Sequence, residues 1–272
     1  MTETVSSKPP EIANIITILN ELWGDTSFVK LLHHFEDIFF AGVIIILLVS
    51  AAYISTRKRA MIPGKYQNIM EFIVETFDNF VSGVLGSHGR SFTPFIGTLF
   101  LYIFFMNLLG LIPGMKSPSA NLNTTLALAI VVFLYVQYTG VRQLGILGYL
   151  DHLMGNPRDI VGFLFIPLMF PLHVMGELIK PVSLSLRLFG NILGEDALIA
   201  AFLAFGIVAL SFINSPVGIP LQLPFMLLAI LTGTVQALVF SLLTTIYLFT
   251  MLPHDAHHAH VAGEEEKRKE GI

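Results

Sequence analysis

The sequence predicts an all-α polytopic membrane protein with about five transmembrane helices, one interfacial amphipathic helix, and a last pair of helices that are long and tilted. Three observations carry this expectation. Of the 272 residues, 54% are hydrophobic and 12% charged, and the mean hydropathy is +0.74. A soluble domain of that length has no core large enough to hide so much apolar surface, so lipid must solvate part of it. The apolar residues also fall in separate long runs, and all the cations but Lys180 and Arg187 lie outside those runs; such loop cations set orientation in a bilayer.

Residues 1–35 are mixed and polar, and read as an N-terminal extramembrane segment with some helix around Ile15 to Trp23. Ile38 to Ile54 is a first span, closed by Arg57, Lys58 and Arg59. From Tyr66 to Leu85, apolar Ile69, Ile73, Phe77, Val81 and Val84 recur at helical spacing opposite Glu71, Glu75, Asp78 and Ser82, which suits a helix lying on the membrane surface. Phe95 to Ile112 is a second span, ended by Pro113 and Gly114. Lys116 to Asn123 reads as a loop from its Pro, Ser and Asn content, and Leu126 to Tyr138 is the core of a third span. Gly140 to Asp159 is expected to be a returning loop. Ile160 to Leu210 and Pro224 to Leu252 are the last apolar regions. The first of these, if helical throughout, measures about 75 Å against about 30 Å of hydrocarbon. It must therefore bend or tilt, and Pro167, Pro171 and Pro181 are the natural bend points. Residues 36–252 thus form the membrane domain and 253–272 a cytoplasmic tail.

Five crossings with the N-terminus outside put ten cations inside (Arg57, Lys58, Arg59, Lys65, Arg90, Arg142, Arg158, Lys267, Arg268 and Lys269) and three outside (Lys8, Lys30 and Lys116). That asymmetry supports the orientation. The net charge of -4, with no basic cluster interleaved with aromatics, argues against a nucleic-acid partner. The sequence has no cysteine, so disulfide and thiolate chemistry are excluded. Nothing reads as a phosphate-binding loop or nucleophile elbow, and the first residues do not read as a secretory signal. His254, His257, His258, His260 and Asp255 crowd the tail, where a solvated segment is expected rather than a metal site. No cofactor or metal is therefore expected.

Lys180 and Arg187 belong to neither side, because both lie within an apolar region. A guanidinium at the centre of a bilayer costs about 2.5 to 3.5 kcal/mol on insertion scales, so an intramembrane charge points to function. On an ideal helix His173, Glu177, Lys180, Arg187, Asn191 and Glu195 share one broad face, with Asp196 turned away from Arg187. Thr232, Gln236 and Tyr247 form a second polar seam in the last span. The alternative is structural: amides and hydroxyls that only link helices, the expected role of Asn107.

At these residues the sequence resembles subunit a of the rotary F-type ATP synthases. KPVSLSLRLFGN, Lys180 to Asn191, resembles that family's central motif, QALVFSLLTTIYL, Gln236 to Leu248, its last helix, and ANLNTTLALA, Ala120 to Ala129, the opening of its third span. The resemblance implies a proton-translocating stator, not an enzyme on its own, that forms two offset half-channels against a ring of c subunits. Arg187 aligns with the arginine that faces the ring carboxylates, Asn191 and Gln236 with polar residues beside it, and Asp196 with an acidic residue of an access path. The expected proton path comprises Glu177, His173, Asn191, Glu195, Asp196 and Gln236. There are departures: His173 stands where some relatives carry a glutamate, with Glu177 one turn later, and Ala229 replaces a histidine. Implied partners are the c-subunit ring, peripheral-stalk b subunits, other synthase subunits and the lipid bilayer, in a bacterial cell inner (plasma) membrane. A secondary ion-coupled transporter and a purely structural scaffold are the alternatives; the two halves show no internal repeat of the kind many transporters carry.

Overall fold

In lipid, a helix is the one single segment that satisfies all its own backbone groups, so each long apolar run is driven to be helical. The computed structural model describes residues 14–23, 27–57, 64–86, 89–154, 160–211 and 220–252. Among them the helices are α1 (Ile15–Trp23), α2 (Ser27–His34), α3 (Glu36–Thr56), α4 (Lys65–Leu85), α5 (Gly89–Leu109), α6 (Leu122–Met154), α7 (Ile160–Ser211) and α8 (Leu223–Thr250), with a 3-10 turn at Pro118–Ala120. The protein is all-α. Glu36–Thr56, Gly89–Leu109, Leu122–Asp151, Ile166–Val208 and Leu223–Thr250 are long and apolar enough to cross a membrane. The acidic residues of α4 keep it out of that set.

One expectation needs correction. The stretch from Gly140, expected as a loop, is helical to Met154, interrupted at Gly145, whose φ of 73° and ψ of 166° break the helix. The connection expected at Lys116–Asn123 is present, outside the α-helices as far as Asn121, and its serines are tucked in: Ser117 and Ser119 are 1% and 0% exposed. Ser117 Oγ donates to the Met106 carbonyl, which ties this turn to the end of α5. The three prolines of α7 do lie inside its helix, yet α7 runs unbroken for 52 residues, about 78 Å at 1.5 Å per residue. The tail, 253–272, lies outside the described residues.

The chain divides into two compact units, Met1–Ala51 with Leu101–Thr125 and Leu186–Leu238, and Ala52–Phe100 with Leu126–Ser185 and Val239–Ile272. In the first, Ile16, Phe40, Ile44, Met106 and Leu109 form a buried cluster. Asn14 caps α1, its Oδ1 accepting from the Thr17 N–H at 2.7 Å. The Ile15 N–H donates to the Gly114 carbonyl at 2.8 Å. Gly114 has φ of 85°, and the Ile15 side chain lies 2.9 Å from where a Cβ would stand, so both backbone and space demand glycine there. Beside this contact, Glu36 receives Lys116 at 2.5 Å and the Asn14 amide at 3.3 Å, and Asp37 receives Asn121. These polar contacts join α1, the start of α3 and the turn before α6.

In the second unit the end of α4 and the start of α5 lie against each other. A Cβ on Gly89 would stand 2.6 Å from the Ser82 Cα, so the two helices approach backbone to backbone. Asp78, expected on the polar face of α4, instead faces α5, accepting from Thr93 at 2.9 Å and pairing with Arg90 at 3.3 Å. Phe77 packs on Phe100, with ring centroids 4.8 Å apart. Gly89→Ala should therefore force this contact apart at a cost of about 1 to 3 kcal/mol. Gly83→Ala, with nothing within 4 Å of its new methyl, should be close to neutral. Thermal midpoints of the purified complex carrying each variant check the contrast.

Candidate ion-translocation site

Polar side chains on α7 and α8 assemble separately within each unit. In the first unit the register of α8 is set from α5: Asn107 Nδ2 donates to the Gly233 carbonyl at 3.1 Å, and Ser119 Oγ donates to Asn107 Oδ1 at 2.8 Å. Gly233 permits this, since a Cβ there would lie 3.2 Å from the Asn107 Cβ. Asn107 is therefore a helix-linking residue, as expected. On either side of Gly233, Thr232 and Gln236 meet α7. Asn191 Nδ2 donates to Gln236 Oε1 at 2.9 Å, and the Thr232 hydroxyl donates to Glu195 Oε1. Gln236 is 4% exposed, and its Nε2 is a buried donor with no partner among the described residues.

Arg187 lies one helical turn before Asn191, and both are exposed on the chain's surface, whereas Leu188 and Ile192 turn inward. Among the described residues Arg187 has no ion-pair or hydrogen-bond partner. Around it α7 is bare of bulk: a Cβ on Gly190 or Gly194 would meet nothing within 4 Å. Asp196 is half-buried, as is Glu195.

In the second unit Glu177 is half-buried and pairs with Lys180 through Oε1. Its Oε2 accepts from Gln137 Nε2 at 3.3 Å, and Tyr149 donates to Gln137 Oε1 at 2.6 Å. Lys180 Nζ lies 5.0 Å from the centre of the Tyr247 ring, a cation–π contact. A narrow cleft, partly open to the outside, borders Glu177, Lys180, Tyr247, Phe133, Val136 and Leu184. His173 is not drawn to Glu177; its Nδ1 lies 3.0 Å from the Met169 carbonyl of its own helix.

The expected single stripe on α7 is thus resolved into an exposed part, Arg187 and Asn191, and inward-turned parts, Glu177, Lys180 and Glu195. The expected seam on α8 divides too, Thr232 and Gln236 serving one unit and Tyr247 the other. Sequence reasoning missed Gln137 and Tyr149. Gln137 lay inside the third span and was readable as an intramembrane amide, but Tyr149 carried no signal in a stretch read as loop.

The family described as ATP synthase A chain matches residues 38–249. The chain belongs to this family. Among its relatives, the ATP synthase subunit a of Protochlamydia amoebophila is 47% identical over 246 residues, covering 90% of this chain and 91% of that protein. That of Moorella thermoacetica is 41% identical over 206 residues, 76% of this chain and 85% of that one. ATP synthase subunit a 3 of Pelobacter propionicus is 41% identical over 213 residues, 78% and 86%. The family match takes in both polar clusters.

Because Asn191 and Gln236 share one bond, Asn191→Leu and Gln236→Leu should be less than additive. The double variant should cost less than the summed singles by about 0.6 kcal/mol, the usual worth of such a bond between helices in a bilayer. Unfolding of the detergent-solubilised complex measures this coupling.

Proposed function

We propose that this chain, a membrane-sector subunit of a bacterial ATP synthase, is the proton-translocating stator, with Arg187 as the electrostatic gate facing the carboxylates of a c-subunit ring. The observation that carries the proposal is the exposure of Arg187 without a partner among the described residues. A structural guanidinium in a bilayer would be neutralised by a neighbouring carboxylate, and here Glu177 is paired with Lys180 and Glu195 with Thr232 instead. The open space over Gly190 and Gly194 suits close approach of another helix beside that charge.

The chemistry follows from electrostatics. A fixed cation favours the ionised form of a carboxylate brought beside it, so a ring carboxylate reaching Arg187 gives up its proton. The same positive charge repels a proton seeking a direct path past it. Arginine suits this role because it stays charged when removed from water, and its planar fork holds carboxylates in two directions. Glu177 with His173, and Glu195 with Asp196, flank Arg187 along α7 at roughly two to four turns; in this reading they serve separate access routes, with Asn191 and Gln236 beside the gate. Peripheral-stalk b subunits and the other synthase subunits are the remaining partners.

The inner membrane is the proposed location, with the N-terminus outside and the tail in the cytoplasm, on the strength of the ten-to-three cation distribution. Impermeant thiol reagents should label a cysteine at exposed Asn123 from outside and one at Gly263 only from inside; external labelling at Gly263 would reverse the orientation. Ser117, 1% exposed, would not report. For the gate, Arg187→Ala and Arg187→Gln should abolish proton-driven ATP synthesis at equal amounts of assembled complex, and Arg187→Lys should restore little. Native synthesis by an assembled alanine variant would return Arg187 to a structural role.

A further inference from the structure

The break in α6 has a geometric effect that the proton path does not by itself require. Gln137 and Tyr149 are twelve positions apart, which in a straight helix means about 18 Å of rise. In the structure the Tyr149 hydroxyl sits 2.6 Å from Gln137 Oε1. Gly145, with its φ of 73°, makes this possible by letting the segment after it fold back along the segment before it; a side chain would be strained there. The Tyr149 ring then packs beside Gly140, 3.4 Å from where a Cβ would stand there. One positive φ therefore lets one phenol reach one amide.

The amide is the informative partner. A glutamine side chain has a donor end and an acceptor end of nearly equal shape. Here its oxygen accepts from Tyr149, which turns its Nε2 toward Glu177 Oε2 at 3.3 Å. Reversed, the amide would set its oxygen against a carboxylate oxygen, a repulsive contact unless the carboxyl group carries its proton. Lys180 holds the other carboxylate oxygen and rests over Tyr247, so the carboxylate is fixed from both sides at the edge of an apolar-walled cleft.

We propose that Tyr149 is a positioning residue for Glu177: by holding the Gln137 amide in one orientation, it keeps an N–H donor aimed at the carboxylate and so sets how readily Glu177 exchanges a proton. This rests on the reading that Glu177 lies on the proton path. Tyr149 does not itself pass the proton, because the intervening amide would have to tautomerise to do so. Its effect is exerted through Glu177 alone.

The test is ATP-driven proton pumping in membrane vesicles by the whole synthase, with rates normalised to assembled complex, for Tyr149→Phe, Gln137→Met, Glu177→Gln and Tyr149→Phe combined with Glu177→Gln. Tyr149→Phe keeps the ring against Gly140 and removes only the hydroxyl; it should slow pumping on the order of fivefold, the usual worth of one such bond. Gln137→Met should show a similar loss, and it serves as the second probe if the phenylalanine variant assembles poorly. With Glu177→Gln already present, Tyr149→Phe should add nothing. A merely structural tyrosine would multiply its loss into the Glu177→Gln background, and that result would overturn the proposal. So would native pumping by both Tyr149→Phe and Gln137→Met while Glu177→Gln is impaired. Native pumping by Glu177→Gln would instead remove Glu177 from the path, and the positioning role with it.

Discussion

On the proposed function, the structure is organised by the cost of leaving one guanidinium unpaired in lipid. An intramembrane arginine costs several kcal/mol unless something outside the chain compensates it, and nothing among the described residues does. Two carboxylates of the same helix are engaged elsewhere, Glu195 with Thr232 and Glu177 with Lys180. A chain that wanted only stability would have spent one of them on Arg187. Keeping the cation free makes sense where a carboxylate arrives from a partner and leaves again.

That arrangement needs a rigid frame, since a free charge on a loosely held helix would find a local partner. The frame comes from backbone approaches that only glycine allows and from side-chain amides that bridge helices. Gly233 lets Asn107 reach the backbone of α8. That contact places Thr232 and Gln236 at the right height for Glu195 and Asn191. Each bond is weak in a bilayer, about 0.6 kcal/mol, yet several acting on one helix fix its rotation. In the second unit the positive φ of Gly145 lets Tyr149 reach Gln137.

The spans were legible because hydropathy alone decides them: α3, α7 and α8 each lie within two residues of the apolar regions that announced them. Arg187 was legible for the same reason, a charge being conspicuous against an apolar background. What sequence periodicity did not resolve was the division of labour along α7. An ideal helical wheel put Glu177, Arg187 and Glu195 on one face, but only the packing of α6 and α8 decides that Arg187 stays outward while the two glutamates turn in. Tyr149 was illegible because its contact depends on one positive φ at Gly145, and a glycine there reads equally well as part of a loop. The loop at Ser117 and Ser119 was legible from its composition, but its burial was not, because its serines are satisfied by Met106 and Asn107.

If an unpaired cation separates two proton routes, its removal should join them even when the rotor stands still. Passive proton conductance, measured under an imposed voltage in vesicles holding assembled complex with rotation blocked, tests this most directly. The Arg187→Ala complex should leak protons where the native complex is tight. An alanine complex as tight as the native one, and still able to make ATP once rotation is restored, would contradict the account.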